Sequence, residues 1–333
     1  MSQELCPFFG KCGGCLYQDL PWEQYVQKKQ TFINRAFQDH GITVQVPKFS
    51  PLPLHIRWRA TFAFQGNTLG YHGLKSHTII PITECRLLKP DLIAVLTGMR
   101  AVIGLLKSTG SVSMATTPFG VDVHIQTQKK LSLTLPQIEE LTAFARNKNL
   151  ARLLINNDPL WQNAPLTQNP EEFRQPSAEG ENLLKELVQQ NLGNAKKILD
   201  LFCGGGTFTR PLIDKGLDVM GYDLADNVSQ LGPHGQQRDL FRHPLTPAEF
   251  KDIDAVILDP PRAGALTQVQ NLSHSFVPKI IMVSCSPKTA ARDSKILIDA
   301  GWKLETLTPV DQFLWSNHIE LVCVFNRSSF PTD

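Results

Sequence analysis

The sequence has no surplus of either charge. Its 333 residues carry 33 Lys and Arg against 31 Asp and Glu, a net of +2, and only 19% of residues are charged. That balance excludes a strongly basic nucleic-acid coat protein. With 42% apolar residues it also excludes a disordered chain. No uninterrupted apolar run approaches the roughly 18 residues that a membrane span requires, so no membrane partner is expected. The opening Met1-Ser2-Gln3-Glu4-Leu5 lacks the basic region and apolar stretch of a secretory leader, and a cytoplasmic location is expected. There is no internal repeat and no low-complexity segment. The charge that is present falls unevenly. Residues 1–100 hold 11 Lys and Arg against 6 Asp and Glu, whereas residues 101–333 hold 22 against 25. A mildly basic front is compatible with a phosphate-bearing partner, and equally with scatter over a neutral surface.

Cysteine is sparse, at seven residues, yet three crowd together as Cys6-x5-Cys12-Gly13-Gly14-Cys15. In a reducing compartment such residues serve as thiols, ligands or catalysts rather than disulfides. Short spacings in irregular backbone let several thiolates converge. Soft sulfur selects zinc or an iron–sulfur cluster, and spacing does not decide between them. Three ligands need a fourth. Cys85, in the turn-like Pro81-Ile82-Thr83-Glu84-Cys85, is the nearest.

Three stretches follow along the chain. Residues 1–45 contain the cysteines and an amphipathic helix over about Trp22–Gln38. Residues 46–165 read as α+β. Strand-like alternation runs through residues 57–64 and 69–72, with helices near 90–107 and 137–148 and strands at 121–128 and 151–156. From 166 to 333 strands and helices alternate, which argues for a parallel doubly wound sheet. Strands are expected at 197–202, 217–223, 255–259, 279–284, 302–306 and 319–325. Such sheets bind ligands beyond the carboxyl ends of their strands.

The chemistry-bearing motifs fall at those ends. Asp200-x-Phe202-x-Gly204-x-Gly206-Thr207-Phe208 lets backbone pass close to a ligand before a helix begins. Thr209 stands where a dinucleotide fingerprint would want glycine, so the loop resembles that of S-adenosylmethionine-binding Rossmann-like enzymes. Asp223, about 20 residues on, is placed to accept from ribose hydroxyls. Asp259-Pro260-Pro261-Arg262 forms a rigid shelf, and Arg262 in place of an aromatic residue disfavours a nitrogen target. In Ser284-Cys285-Ser286-Pro287 a thiol ends a buried strand before a helix, whose N-terminus is expected to lower its pKa. Glu320 is an acid entering an otherwise buried strand, where a carboxylate needs work or a partner. Cys203 and Cys323 read as small buried hydrophobes.

Together these motifs resemble the RNA uracil-carbon-5 methyltransferase family, and the resemblance runs over nearly the whole chain. It implies a class I Rossmann-like methyltransferase domain (166–333), preceded by an α+β RNA-binding domain (46–165) and a small iron–sulfur segment (1–45). It implies that Cys6, Cys12, Cys15 and Cys85 hold a 4Fe-4S cluster. It also implies that Gln175, Phe202, Thr207, Asp223, Asp239 and Asp259 contact S-adenosylmethionine. Phe173-Arg174-Gln175-Pro176-Ser177 is similar to the family's Phe-x-Gln-x-Asn stretch, with Ser177 in place of Asn. Cys285 matches the family's nucleophile and Glu320 its general base; Ser286 stands where Asn or Asp is usual. An RNA-binding β-barrel before Cys6, which many rRNA-type members have, is not expected here. The 223–239 stretch is short for a strand–helix–strand unit. The expected partner is RNA, 23S rRNA over tRNA, bound by a monomer without an obligate protein partner. A retired RNA-binding scaffold would not need both Cys285 and Glu320. Cytosine-carbon-5 enzymes usually place Pro, not Ser284, before the nucleophile. Arg57, Trp58, Arg59, Tyr71 and Lys75 are candidates for gripping unstacked RNA, or else for ordinary strand packing.

Overall fold

Tyr25, Lys29, Ile33, Ala36 and Phe37 recur at helical spacing, and Trp22–Gln38 forms helix α1 with those residues buried. The computed structural model describes residues 5–165 and 175–327. The chain divides into two compact units. Unit 1 takes its residues from 1–20, 52–179 and 314–316, and unit 2 from 21–51, 180–313 and 317–333. This division departs from the expected boundaries after residues 45 and 165. Ile33, Ala36 and Phe37 join the apolar core of unit 2, so α1 parts company with the cysteine segment.

In unit 1 the elements are β1 (Arg59–Gln65), β2 (Thr68–His72), β3 (Ile79–Ile80), α2 (Pro90–Ile103), β4 (Thr109–Thr117), β5 (Gly120–Thr127), α3 (Leu135–Asn147), β6 (Arg152–Ile155) and β7 (Asp158–Gln162). They form a seven-stranded sheet in the order β3-β2-β1-β4-β5-β6-β7. All pairings are antiparallel except β5 with β6, which are joined through α3. Alternation places Phe62 and Phe64 of β1 and Val112 and Met114 of β4 in one core with Leu92, Leu96 and Met99 of α2 and Leu141 of α3. Strand β4 went unread in the sequence because Gly, Ser and Thr surround its two inward residues. Arg152 and Asp122 face each other across β6 and β5 as a buried ion pair at 2.7 Å.

In unit 2 the elements after α1 are α4 (Ala178–Leu192), β8 (Lys197–Leu201), α5 (Thr209–Ile213), β9 (Asp218–Asp223), β10 (Gly235–Gln237), β11 (Ala255–Leu258), α6 (Leu266–Ser273), β12 (Lys279–Ser284), α7 (Pro287–Asp299), β13 (Trp302–Val310) and β14 (Glu320–Arg327). The sheet order is β10-β9-β8-β11-β12-β14-β13. Its central strands are apolar on both faces, and period-two alternation feeds two cores. Leu199, Leu201, Val256, Leu258, Ile280 and Met282 pack with α1, α6 and α7. Ile198, Ile257, Ile281 and Val283 pack with Leu184, Val188 and Leu192 of α4 and Leu212 of α5. Each such side chain contributes roughly 1.5–3 kcal/mol of burial.

The expectation of a wholly parallel sheet is corrected at one edge. Strand β14 enters between β12 and β13 and runs antiparallel to both. Burial periodicity is blind to strand direction, so the reversal left no mark in the sequence. It brings the start of β14 to the same edge as the carboxyl ends of β8, β11 and β12. The short 223–239 stretch holds no regular α-helix. A 3-10 segment over Asp226–His234, interrupted at Gly232, leads into the three-residue β10.

Candidate active site and thiol cavity

At the carboxyl edge of the unit 2 sheet the backbone after β8 turns sharply. Phe202 takes a left-handed φ of 64°, followed by Gly204 at 53° and Gly206 at 89°. A Cβ on Gly206 would come within 2.5 Å of Leu231, so this turn also requires glycine on packing grounds. The Gly204 N–H donates to Asp223 Oδ2 at 2.8 Å and the Ala225 N–H to Oδ1 at 2.7 Å. Asp223 therefore fixes the loop while each oxygen keeps acceptor capacity. Thr207 is half-buried in the same turn. Asp239 lies beyond β10, where its Oδ1 accepts from the Phe241 and Arg242 N–H groups at 3.0 and 3.1 Å. The rings of Phe202 and Phe241 lie 5.3 Å apart. Gln175 falls in unit 1, is buried, and its carbonyl accepts from the Trp58 indole N–H. Phe173 and Arg174 lie outside the described residues.

Three acids gather under this edge. Asp200 is fully buried, accepts from the Thr209 hydroxyl at 2.6 Å, and has its pKa pushed up to about 7 by burial. The Asp259 N–H donates to the Leu201 carbonyl at 3.1 Å. Burial first, then Glu320, Asp200 and Asp223, push the Asp259 carboxyl well above the usual range. Glu320 is 3% exposed and raised to about 7 by burial, against a hydrogen bond from Gln312 Nε2 at 3.2 Å. Asp200 was quoted only as part of a motif. Gln312 carried no sequence signal, since nothing in a linear reading aims its amide at position 320.

Cys285 follows the last residue of β12, and Ser286 caps α7 by accepting from the Thr289 N–H at 3.4 Å. Ser284 pairs with Leu321 as the last step of the β12–β14 ladder, Cys285 and Glu320 are the next residues along the two strands, and Glu320 acts on the thiol electrostatically. The thiol is half-buried, and its pKa is pushed up to about 11 by burial, with Glu320 and Asp259 adding and Arg262 opposing. This corrects the expectation of a lowered pKa. Desolvation and two carboxyl groups outweigh one helix N-terminus.

Cys6, Cys12, Cys15 and Cys85 all belong to unit 1 and line one cavity of about 80 Å³ with Phe8, Phe9 and Ile82. All four are free thiols. Burial raises Cys12, Cys85 and Cys15, the last to about 12. The Gly14 N–H donates to the Cys12 sulfur at 3.4 Å. Among the described residues no group of three or more His, Cys, Asp or Glu has the arrangement to hold a metal ion. Arg57 and Tyr71 line this cavity too. A larger cavity of about 590 Å³ on the unit 1 sheet, lined in part by His72 and His77, includes none of the expected site residues.

Residues 236–328 match the model of the tRNA (uracil-5-)-methyltransferase family. The chain is 37% identical to an uncharacterized RNA methyltransferase of Brucella suis, over 97% of this chain and 84% of that protein. The chain belongs to the RNA uracil-5-methyltransferase family. It is therefore an S-adenosylmethionine-dependent RNA methyltransferase, and the reading of a non-catalytic scaffold falls. A 23S rRNA uracil-C5 methyltransferase of Erwinia tasmaniensis is 28% identical to this methyltransferase, over 97% of this chain and 82% of that protein. The crystal structure of a Pyrococcus abyssi tRNA (uracil-54, C5)-methyltransferase with S-adenosyl-L-homocysteine shares the fold. Its TM-score is 0.75 at 24% identity, covering 96% of this chain and 86% of that one. No helix among the described residues is long and apolar enough to cross a membrane.

Proposed function

We propose that the methyltransferase methylates carbon 5 of a uridine in structured RNA, 23S rRNA in preference to tRNA, through a covalent adduct on Cys285. The β12–β14 register, which ends with Ser284 opposite Leu321, and the electrostatic effect of Glu320 on the Cys285 thiol carry this reading. Carbon 5 of uracil is a poor nucleophile. The Cys285 thiol gives up its proton to solvent, and the thiolate adds to carbon 6, which makes carbon 5 nucleophilic. When bound, S-adenosylmethionine would supply its electrophilic sulfonium methyl to carbon 5, the methyl–sulfur bond breaking with its electron pair to leave S-adenosylhomocysteine. Glu320 then removes the proton from carbon 5. The freed electron pair restores the 5,6 double bond and expels the Cys285 thiolate. A carboxyl raised to about 7 is a base matched to that task at neutral pH.

Asp223 and the Phe202–Thr207 turn hold the methyl donor, together with Asp259, Gln175 and Asp239. Asp239 also closes its own turn, so it can contribute only its remaining lone pairs. The target base leaves its stack to reach Cys285. The Erwinia relative favours 23S rRNA; the family model's description and the Pyrococcus neighbour favour tRNA. Cys6, Cys12, Cys15 and Cys85 suit a 4Fe-4S cluster: four soft donors face one cavity in irregular backbone. In a cluster each thiolate binds a different iron, so the sulfurs need not converge on a point as they would around one zinc ion. A cluster held by these four cysteines would have no redox step to perform in this mechanism and would serve to shape unit 1.

The test is transfer of labelled methyl groups to purified 23S rRNA and to tRNA from cells lacking the enzyme, followed by mapping of the modified base. 5-Methyluridine in rRNA is expected, and Glu320→Gln should retain a covalent RNA adduct. Label on cytosine or adenine, or on tRNA alone, would overturn the corresponding part of the reading.

A further inference from the structure

Lys29 lies on α1, a helix to which no catalytic role has been given so far, and is 3% exposed. Its ammonium donates to Asp311 Oδ1, to the Phe313 carbonyl at 3.2 Å and to the His318 carbonyl at 2.6 Å. One turn earlier on α1, the Tyr25 hydroxyl donates to Asp311 Oδ2 at 2.5 Å. Asp311 is 1% exposed, and the ammonium stands 5.2 Å from the centre of the Tyr25 ring. The three acceptors lie in the connection from β13 to β14: one at its start, one two residues on, and one two residues before Glu320. The Phe313 and His318 rings meet edge-on at 5.7 Å across the same connection. Gln312, held between the two pinned residues Asp311 and Phe313, is the side chain that donates to Glu320.

A buried ion pair is a poor source of stability, because taking both charges from water costs several kcal/mol per ion. An apolar side chain at position 29 would anchor α1 at less cost. What it could not do is bind three oxygens in fixed directions at both ends of one connection. We propose that Lys29, assisted by Tyr25, is a positioning residue that clamps residues 311–318 and so sets the geometry of Gln312 and Glu320 at the carboxyl edge of the sheet. The proposal rests on the reading of Glu320 as the base.

The test compares wild type, Glu320→Gln, Tyr25→Phe and the charge-neutral double variant Lys29→Met/Asp311→Asn. The double variant avoids the lone buried charge that either single change would leave. Each protein is checked for its melting temperature, KM for RNA, kcat and the fraction of enzyme carrying a covalent RNA adduct. Misplacement of a reacting group by about 1 Å costs up to about 100-fold. The double variant should therefore lose roughly that factor in kcat with KM nearly unchanged, and should accumulate adduct as Glu320→Gln does. Tyr25→Phe, which keeps both charges, should lose several-fold in kcat with the same split. A kcat within about threefold of wild type in the folded double variant overturns the clamp, as does an unchanged kcat in Tyr25→Phe should the double variant not fold. If Glu320→Gln forms adduct and the double variant does not, the clamp alone falls. If Glu320→Gln forms none while still binding RNA, the base reading falls and takes the clamp with it.

Discussion

Cys285 and the four cysteines of unit 1 meet the same physical penalty in different company. Burial raises the thiol pKa in both places, to about 11 at Cys285 and about 12 at Cys15. Around Cys285 the neighbours that add to the effect are carboxyl groups, Glu320 and Asp259, with Arg262 as counterweight. Around Cys15 they are other thiols, Cys85 and Cys12, with a hydrogen bond to Gln18 and then Arg57 as counterweights. A buried sulfur among acids that themselves resist ionisation becomes an anion only in passing, when a reaction draws it out. Buried sulfurs among sulfurs raise one another, so ionising one makes the next harder to ionise. On the proposed reading, the company a thiol keeps separates a nucleophile from a ligand more clearly than its pKa does.

The largest expected effect tests that contrast directly. Cys285→Ala should abolish methyl transfer, by at least about 10⁴-fold, while leaving RNA affinity and melting temperature near wild type. Measurable turnover in a labelled-methyl assay would remove the nucleophile from the contrast. Next in size is the pH dependence at Glu320. Its pKa in the fold is raised from 4.5 to about 7, so the wild-type carboxyl favours the folded state fully below 4.5, and that contribution is lost as pH rises through 7. Glu320→Gln has no charge to bury. It should gain stability relative to wild type across that window, by up to about 3 kcal/mol at pH 8. Parallel denaturant titrations at pH 4.5 and pH 8 measure the difference. Wild-type kcat should fall about tenfold per unit below pH 7, as the base takes up a proton. The smallest effect belongs to unit 1. Cys12→Ser should lower the melting temperature by several degrees and weaken RNA binding by about tenfold, with S-adenosylmethionine affinity unchanged by calorimetry. Loss of chemistry with folding and RNA binding intact would show that the four thiols do more than shape a surface.

Much of unit 2 could be read in advance because its central strands are continuous apolar runs. Ala255–Leu258 and Lys279–Ser284 could hardly be anything but buried strands, and Tyr25, Ile33 and Phe37 announced α1. The glycine turn was legible because backbone at Gly204 and Gly206 needs positive φ. Other features depended on long-range placement. Strand direction leaves no periodicity, so the reversal of β14 was invisible, and with it the reason that Glu320 meets Cys285. Pro309 and the irregularity between Leu304 and Thr306 hid the length of β13. The ionisation of Cys285 was misjudged because its carboxyl neighbours come from strands distant in sequence. Nothing in the sequence set Arg57 and Tyr71 beside the thiols, because only the fold brings them there.

The insertion of β14 between two strands made before it bears on biosynthesis. A chain emerging from the ribosome can pair β8, β9, β11 and β12 and already display Cys285 at the sheet edge. The seat beside β12 then stays vacant until β14 arrives, and Glu320 arrives with it. On the proposed mechanism the cysteine at the end of β12 therefore gains its base only when β14 pairs, so the acid and the thiol are brought together by the last pairing of that sheet edge and not by either strand alone.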